Sequence, residues 1–259
     1  MSPDPVPFDA PALERGFGFF ETLLLLGRRA VLWAPHARRL LATLATLELP
    51  APSLEALERV SRASLEGVED GEEERALRIS WIAVGHDVEA QGSWRLDASV
   101  RPVPPNTLSR RAGSRAATVP SKFRRDSPGF KSTSYFGAVA GQRHARRMGA
   151  DEGLFTDGNL YVEGASTALV AWNGGRLAGL GPGGLPSVTA EAFLDGAGER
   201  RSLDRTELLA GAILLGSLTT AVPLLSLDGI ECSRPPEMLL ACDAFKARLR
   251  TDAALQKWL

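Results

Sequence analysis

Cysteine, histidine and long apolar runs are all scarce in this chain, and each scarcity excludes a class of protein. Only two cysteines occur, Cys232 and Cys242, ten positions apart. That spacing makes neither a disulfide framework nor a thiolate metal cluster. The three histidines, His36, His86 and His144, are too scattered for the usual zinc spacings. Lys+Arg number 30 against Asp+Glu 31. No basic stretch survives as a nucleic-acid footprint, so no nucleic-acid partner is expected. The longest apolar stretches, such as Leu23-Leu24-Leu25-Leu26, are far shorter than a membrane span. Met1-Ser2-Pro3-Asp4-Pro5 has neither a basic nor an apolar region of a signal peptide. No internal repeat is visible. These absences lead us to expect a cytoplasmic protein with no membrane contact, whose chemistry uses no metal and no disulfide.

What is present is ordinary globular material: 259 residues, 44% hydrophobic and 24% charged. That length suffices for two modest domains with buried cores. Phe17 to Leu26 and Ala30 to Trp33, around Gly27-Arg28-Arg29, predict a β-hairpin. Leu40, Leu41, Leu44 and Leu47 recur at helical spacing after Pro35, and Leu54 to Leu65 predicts a second helix. Leu77 to Val84 predicts a buried strand. Residues 104–120 are rich in Pro, Arg and Ser and poor in large apolar side chains, and so predict a linker. It would divide a small N-terminal α/β domain, 1–103, from a larger C-terminal domain, 121–259. In the latter we expect a helix from about Ser132 to Met148 and hairpins at Asp157-Gly158 and Asn173-Gly174. A helix starting at Thr189, a short strand Ala212 to Leu215, and a long helix from Pro235 to Trp258 complete the expectation. The cysteine pair is expected to be packing on or near that last helix.

Chemistry is suggested by a succession of short segments. Lys131 opens Lys-Ser-Thr-Ser-Tyr. Glu163 closes a predicted hairpin strand and is followed by the small residues Gly164-Ala165-Ser166. Upstream lie Gly18-Phe19-Phe20-Glu21-Thr22 and His36-Ala37-Arg38-Arg39-Leu40. Downstream lie Gly184-Leu185-Pro186-Ser187-Val188-Thr189 and Gly216-Ser217-Leu218-Thr219-Thr220-Ala221-Val222-Pro223. In this order, the segments resemble the fold-type IV pyridoxal-phosphate enzymes, the class IV aminotransferase family. Its members include branched-chain and D-amino-acid aminotransferases, R-selective amine transaminases and aminodeoxychorismate lyase. The resemblance spans roughly residues 14 to 230.

The resemblance implies a two-domain α/β fold of the D-amino-acid aminotransferase type, a pyridoxal 5'-phosphate cofactor, a small-molecule amine substrate and a homodimer. It assigns Lys131 as the residue that bonds the cofactor aldehyde and later moves the substrate proton, which requires an amine that is partly neutral. Glu163 would face the pyridine nitrogen and keep the ring an electron sink. Arg39 would bind the phosphate with its planar fork. Val188 and Thr189 at a helix start, with Ser217 and Leu218 opposite, would complete the phosphate site. Tyr135 would sit near the cofactor's ring oxygen, and Phe20 and Thr219 would line the substrate pocket. His36 is read as structural, bonding backbone near the phosphate.

Two departures bear on the reaction. Amino-acid aminotransferases of this family often carry an arginine at the end of the Leu77 to Val84 strand to hold a substrate carboxylate, and none stands there. Arg95 or Arg101 could substitute. The late loop resembles the Asn-Ser-Leu…Pro pattern of the lyase branch more than the Ser/Thr-rich loop of the transaminases. The reading that follows is a 4-amino-4-deoxychorismate lyase releasing pyruvate and 4-aminobenzoate, as in folate biosynthesis. The alternatives are an aminotransferase for branched-chain amino acids, D-amino acids or R-amines, and a noncatalytic binding protein on the same fold. Retention of both Lys131 and Glu163 argues against the last.

Overall fold

The computed structural model describes residues 5–259. The expectation of no signal peptide falls largely on residues 1–4, outside the described residues. In chain order the elements are α1 (Pro11–Glu14), β1 (Gly18–Leu26), β2 (Arg29–Val31), α2 (Trp33–Thr46), α3 (Leu54–Ala63), β3 (Glu74–Ala83), β4 (Trp94–Pro102), α4 (Pro105–Ser109), β5 (Ser114–Thr118), α5 (Phe136–Arg147), β6 (Glu152–Asp157) and β7 (Leu160–Gly164). There follow β8 (Ala168–Asn173), β9 (Arg176–Leu180), α6 (Val188–Leu194), β10 (Glu199–Arg201), α7 (Arg205–Ala210), β11 (Ala212–Gly216), β12 (Thr220–Leu227), β13 (Ile230–Glu231), α8 (Pro236–Thr251) and β14 (Gln256–Trp258). Among the described residues no helix is long and apolar enough to cross a membrane.

The chain divides into two compact units. The first comprises residues 1–102, 130–135 and 254–259. Its sheet runs β14-β2-β1-β3-β4. Strand side chains alternate between faces. Accordingly Phe19, Leu23 and Leu25 of β1, with Leu77, Ile79 and Trp81 of β3, point into one core with Trp33, Leu40 and Leu44 of α2 and Leu57 of α3. Register places Phe20 opposite Ser80 and Thr22 opposite Arg78 on the other face. That face is the mixed polar and aromatic one, and Lys131 and Tyr135 meet its Phe20 ring.

The second unit, residues 103–129 and 136–253, has a sheet ordered β10-β9-β8-β11-β12-β5-β6-β7, with β13 paired to β12. Leu154, Leu169, Leu214, Val222, Leu224 and Leu227 form its core. The stretch expected to be a linker contains β5, which pairs in parallel with both β12 and β6. Its interior residues, Ala116 and Ala117, bury almost completely although they are small. Tertiary pairing on both sides makes this strand, where its composition alone reads as loop.

Three other boundaries differ from expectation. The helix after Lys131 begins at Phe136, because residues 131–133 pair with β1 instead. Helix α6 begins at Val188, with Ser187 as its N-cap accepting from the Ala190 N–H at 3.2 Å. The C-terminal helix ends at Thr251, and Gln256–Trp258 runs antiparallel to β2. An open strand edge there outweighs the helical propensity of the tail. Cys232 and Cys242 are buried free thiols. Burial pushes both up to about 11, so they are inert packing groups.

Candidate active site

In the first unit, Lys131 is positioned through its backbone. The first half of β1 leaves one edge unpaired by β2, whose register covers only Leu25 and Leu26. The Lys131 segment docks there: the Phe20 N–H donates to the Lys131 carbonyl at 3.0 Å and the Thr133 N–H to the Gly18 carbonyl at 2.8 Å. The Thr133 hydroxyl donates to the Gly16 carbonyl at 2.6 Å. Gly18 is required here, since a Cβ would stand 2.9 Å from Ile82 and 3.2 Å from the Thr133 hydroxyl. The result places Lys131 Nζ 4.8 Å from the centre of the Phe20 ring. Tyr135 meets the same ring edge-on at 5.4 Å. Three of the residues singled out in the sequence thus share one ring.

Arg39 is held elsewhere in the same unit. Its Nε donates to Glu21 Oε1 at 2.8 Å and its Nη2 to Glu21 Oε2 at 2.5 Å. His36, one turn earlier on α2, bonds Glu21 Oε2 through Nδ1 at 2.7 Å. The histidine expected to bond backbone bonds a buried carboxylate instead, because Glu21 lies on the helix-facing side of β1. Burial acts to raise the Glu21 carboxyl, but Arg39 and His36 beside it win and hold it at about 2. Burial pushes His36 down despite Glu21, with Arg39 and Lys131 adding to the push. The cluster is therefore carboxylate, guanidinium and neutral imidazole.

This cluster fixes an acid-stability window. The unfolded carboxyl takes its proton near 4.5 and the folded one near 2, so the Glu21 contribution of about 3 kcal/mol is complete above 4.5 and lost as pH falls toward 2. His36 adds a decline in the same direction, starting below 6.5, where only the unfolded imidazole protonates. Melting temperature followed from pH 7 to pH 3 should fall more steeply for the native protein than for Glu21→Gln. Parallel curves would refute the assignment.

In the second unit, Glu163 lies on β7, 5% exposed. Its Oε1 pairs with Arg125 Nε at 3.2 Å, and its Oε2 accepts the Leu185 N–H at 2.9 Å. The glycine-rich loop can approach because Gly184 lacks a Cβ, which would sit 3.0 Å from the Val162 carbonyl and 3.2 Å from Glu163 Cβ. Glu163, Val162 and Leu185 line a cavity of about 480 Å³ within this unit. The turn after Glu163 is pinned by Glu152, which is fully buried and accepts the Ser166 N–H at 2.6 Å and Arg110 Nη1 at 2.7 Å. A Cβ at Gly164 would meet Glu152 Oε1 at 2.8 Å, which explains the small residues there.

The remaining cofactor-site candidates of this unit sit at two chain reversals. Val188 and Thr189 occupy the first turn of α6, whose N–H groups have no acceptor inside the helix. Ser217 and Leu218 join β11 to β12, and Thr219 is buried. Arg111 grips the Leu218 carbonyl through Nε at 3.0 Å and Nη2 at 2.5 Å, fixing the loop. Thr220 takes a left-handed φ of +66° to close it.

The donor set fits the implied cofactor. The first unit supplies a primary amine seated on an aromatic ring and an oriented guanidinium. The second supplies a buried carboxylate at a cavity and two chain reversals rich in N–H and hydroxyl donors. The sequence reading singled out none of Glu21, Arg125, Glu152, Arg110, Arg111 or Arg78 as site residues. Glu21 was visible inside its motif, but the arginines carry no local pattern, since only folding brings them to their carboxylates and carbonyls.

Comparison with known proteins shows the family and the fold. The model of the family described as amino-transferase class IV matches residues 18–227. A bifunctional aminodeoxychorismate lyase / D-amino acid transaminase of Mycobacterium tuberculosis is 30% identical over 272 residues, covering 94% of this chain and 93% of its own. Among solved structures, a hypothetical aminotransferase from Mycobacterium tuberculosis in its PLP-bound form is similar at a TM-score of 0.84 and 26% identity, over 97% of this chain and 95% of that one. The branched-chain aminotransferase of Thermoproteus uzoniensis shares the fold at a TM-score of 0.81 and 22% identity, over 98% and 93%.

Proposed function

Because this chain belongs to the class IV aminotransferase family and is a pyridoxal-phosphate-dependent enzyme of fold type IV, we propose that its reaction is the lyase one: 4-amino-4-deoxychorismate to 4-aminobenzoate and pyruvate. The observation that carries this reading is the relative alike over 94% of the chain whose name includes that lyase activity. The Ser217-Leu218 loop with Pro223, patterned as in the lyase branch, supports it.

When bound, pyridoxal phosphate supplies an electron sink for the carbanion at the amine-bearing carbon. Lys131 takes the proton from that carbon, and the ether oxygen at the neighbouring carbon leaves as the enol of pyruvate. The proton removed balances the one the enol takes up, and the ring becomes aromatic. Glu163, paired with Arg125, would face the pyridine N–H. Arg39, oriented in advance by Glu21, would bind the phosphate, and Val188, Thr189, Ser217 and Leu218 would offer it N–H and hydroxyl donors. Phe20, Tyr135 and Thr219 bound the substrate side. The enzyme works as a cytoplasmic homodimer on a small-molecule amine; Phe136 and Val139, exposed one turn apart on α5, support a partner subunit.

A second reading has the same relative behind it: transamination of D-amino acids, in which Lys131 would move the same proton and pyridoxal phosphate, when bound, would take up the amino group. Supplying aminodeoxychorismate and following pyruvate separates the two. Pyruvate and 4-aminobenzoate in equal amounts are expected. Turnover of an amino acid from a panel of L- and D-forms, with no pyruvate from aminodeoxychorismate, would reject the lyase.

A further inference from the structure

Two consecutive arginines, Arg110 and Arg111, share one 3₁₀ turn in the stretch expected to be a linker. The turn joins α4 to β5. Gly113 seats it against β12, since a Cβ there would stand 2.5 Å from Leu225 Cδ2. From this turn the two side chains reach separate targets. Arg110 Nη1 donates to Glu152 Oε2 and to the Asp151 carbonyl, both at 2.7 Å. Arg111 donates to the Leu218 carbonyl through Nε and Nη2.

Both targets lead to the candidate cofactor site. Glu152 holds the turn that follows Glu163. Its Oε1 accepts the Ser166 N–H at 2.6 Å and the Thr167 hydroxyl at 3.2 Å, and its Oε2 accepts the Ser166 hydroxyl at 2.8 Å. That turn touches the loop between β11 and β12, since a Cβ at Gly216 would stand 3.2 Å from the Ser166 carbonyl. Gly216 leads into Ser217 and Leu218, and Leu218 is the residue that Arg111 grips. The contacts thus close a ring: Arg110 to Glu152, Glu152 to the Ser166 turn, that turn to the Gly216 loop, and the loop to Arg111. All of it lies within the second unit.

The Arg110 side chain is 11% exposed and that of Glu152 0%. An ion pair this deep is a weak source of stability beside apolar side chains of the same volume. What it supplies instead is fixed direction and spacing. Two donors on the Leu218 carbonyl likewise fix that peptide plane, and with it the direction of the Thr219 N–H on the opposite side. Pyridoxal phosphate has a rigid ring between its nitrogen and the carbon that carries its phosphate arm. Groups that meet its two ends work best when their spacing is set in advance.

We propose that Arg110 and Arg111 are positioning residues: through one turn they hold the strand end at Glu163 and the Ser217-Leu218 loop at a fixed spacing, so that both ends of the cofactor meet groups already in place. The proposal rests on the reading of Glu163 as the partner of the pyridine nitrogen and of that loop as part of the phosphate site.

The test uses the full-length chain reconstituted with pyridoxal phosphate or with pyridoxal, which keeps the ring and lacks the phosphate. Half-saturating concentrations are read from the visible absorbance. Arg111→Met should weaken pyridoxal phosphate roughly ten- to a hundred-fold, the size of one misplaced charge-assisted hydrogen bond, and leave pyridoxal within about twofold. Arg111→Lys, which keeps a donor for the carbonyl, should recover part of the loss. Arg110→Met alone would orphan the buried Glu152, so its arm is tested with Arg110→Met and Glu152→Met together, an apolar pair that leaves no charge unpaired. This double variant should weaken both molecules by similar factors, because the ring is common to them. It should also move the pH midpoint of the bound cofactor's absorbance by about half a unit or more, since the carboxylate facing the ring is displaced. A residue serving stability alone would lower the melting temperature and leave that midpoint in place. Ser166→Ala, which removes one bond to Glu152 and keeps the ion pair, should move the midpoint in the same direction by less. Equal weakening of both molecules by Arg111→Met, no weakening of either, or an unmoved midpoint in both Arg110→Met/Glu152→Met and Ser166→Ala would overturn the proposal. Two further variants test the reading beneath it. Ser217→Asp should abolish the preference for pyridoxal phosphate over pyridoxal by charge repulsion, and Glu163→Gln should move the midpoint. If these two respond and the arginine variants do not, this proposal alone fails; if Ser217→Asp keeps the preference or Glu163→Gln keeps the midpoint, the cofactor-site reading fails and takes the proposal with it.

Discussion

Lys131→Ala is expected to yield a folded protein that has lost turnover by roughly 10³-fold or more, because the proposed mechanism has one side chain both bond the cofactor and move the proton. Folding should survive. The contacts that seat this segment are made by the Lys131 carbonyl, the Thr133 N–H and the Thr133 hydroxyl, and all three remain when the side chain is cut back to Cβ. Borohydride reduction followed by intact mass measurement separates this from a general loss of function. The native chain should gain the mass of the cofactor at Lys131, and the variant should not. Added methylamine should restore a fraction of the proton transfer in the variant. A variant that still turns over within tenfold of the native rate would remove Lys131 from the mechanism.

Glu163→Gln is expected to give the second largest effect, and to give it in two separable forms. The amide is nearly isosteric and its oxygen can still accept the Leu185 N–H, so the approach of the glycine-rich loop is retained. What disappears is the negative charge. Arg125, with a side chain only 7% exposed, then lacks its counter-ion and keeps the Pro128 carbonyl as a neutral acceptor. Breaking a buried pair from one side costs about 3 kcal/mol or more, read as a drop in melting temperature. Turnover should fall roughly 10²-fold or more, measured well below that melting temperature, since the group proposed to stabilise the protonated pyridine ring is gone. A kcat within about twofold of native, even in a destabilised protein, would make Glu163 a structural residue only.

Much of the candidate site was legible in linear order. The apolar-flanked lysine, the Glu163 strand with its small-residue turn, and the glycine-rich loop each follow from a local rule: hairpin chemistry, close approach, helix start. The structure gives these local rules physical reasons, such as the carbonyl that a Cβ at Gly184 would strike. The strands Trp94–Pro102 and Ser114–Thr118 were missed for different reasons. The first alternates Leu96, Ala98 and Val100 with Arg95, Asp97, Ser99 and Arg101, a period-2 signal that could have been found. The second has only alanines to bury and becomes a strand because β12 and β6 flank it.

The sequence alone pointed to the family and the cofactor, which the comparisons show, and it singled out Lys131 and Glu163 as the residues proposed to work on that cofactor. These are properties of residue type and local spacing, which the chain carries before it folds. Only the tertiary structure decided the company those residues keep. It brought Glu21 to Arg39 and His36, Arg125 to Glu163, and Arg111 to the Leu218 carbonyl, and it set both Arg78 and Lys131 against the Phe20 ring. The reason is that a buried charge is tolerable only where a distant segment supplies its partner, and which segment arrives is set by strand register and helix packing rather than by any pattern in the neighbouring residues.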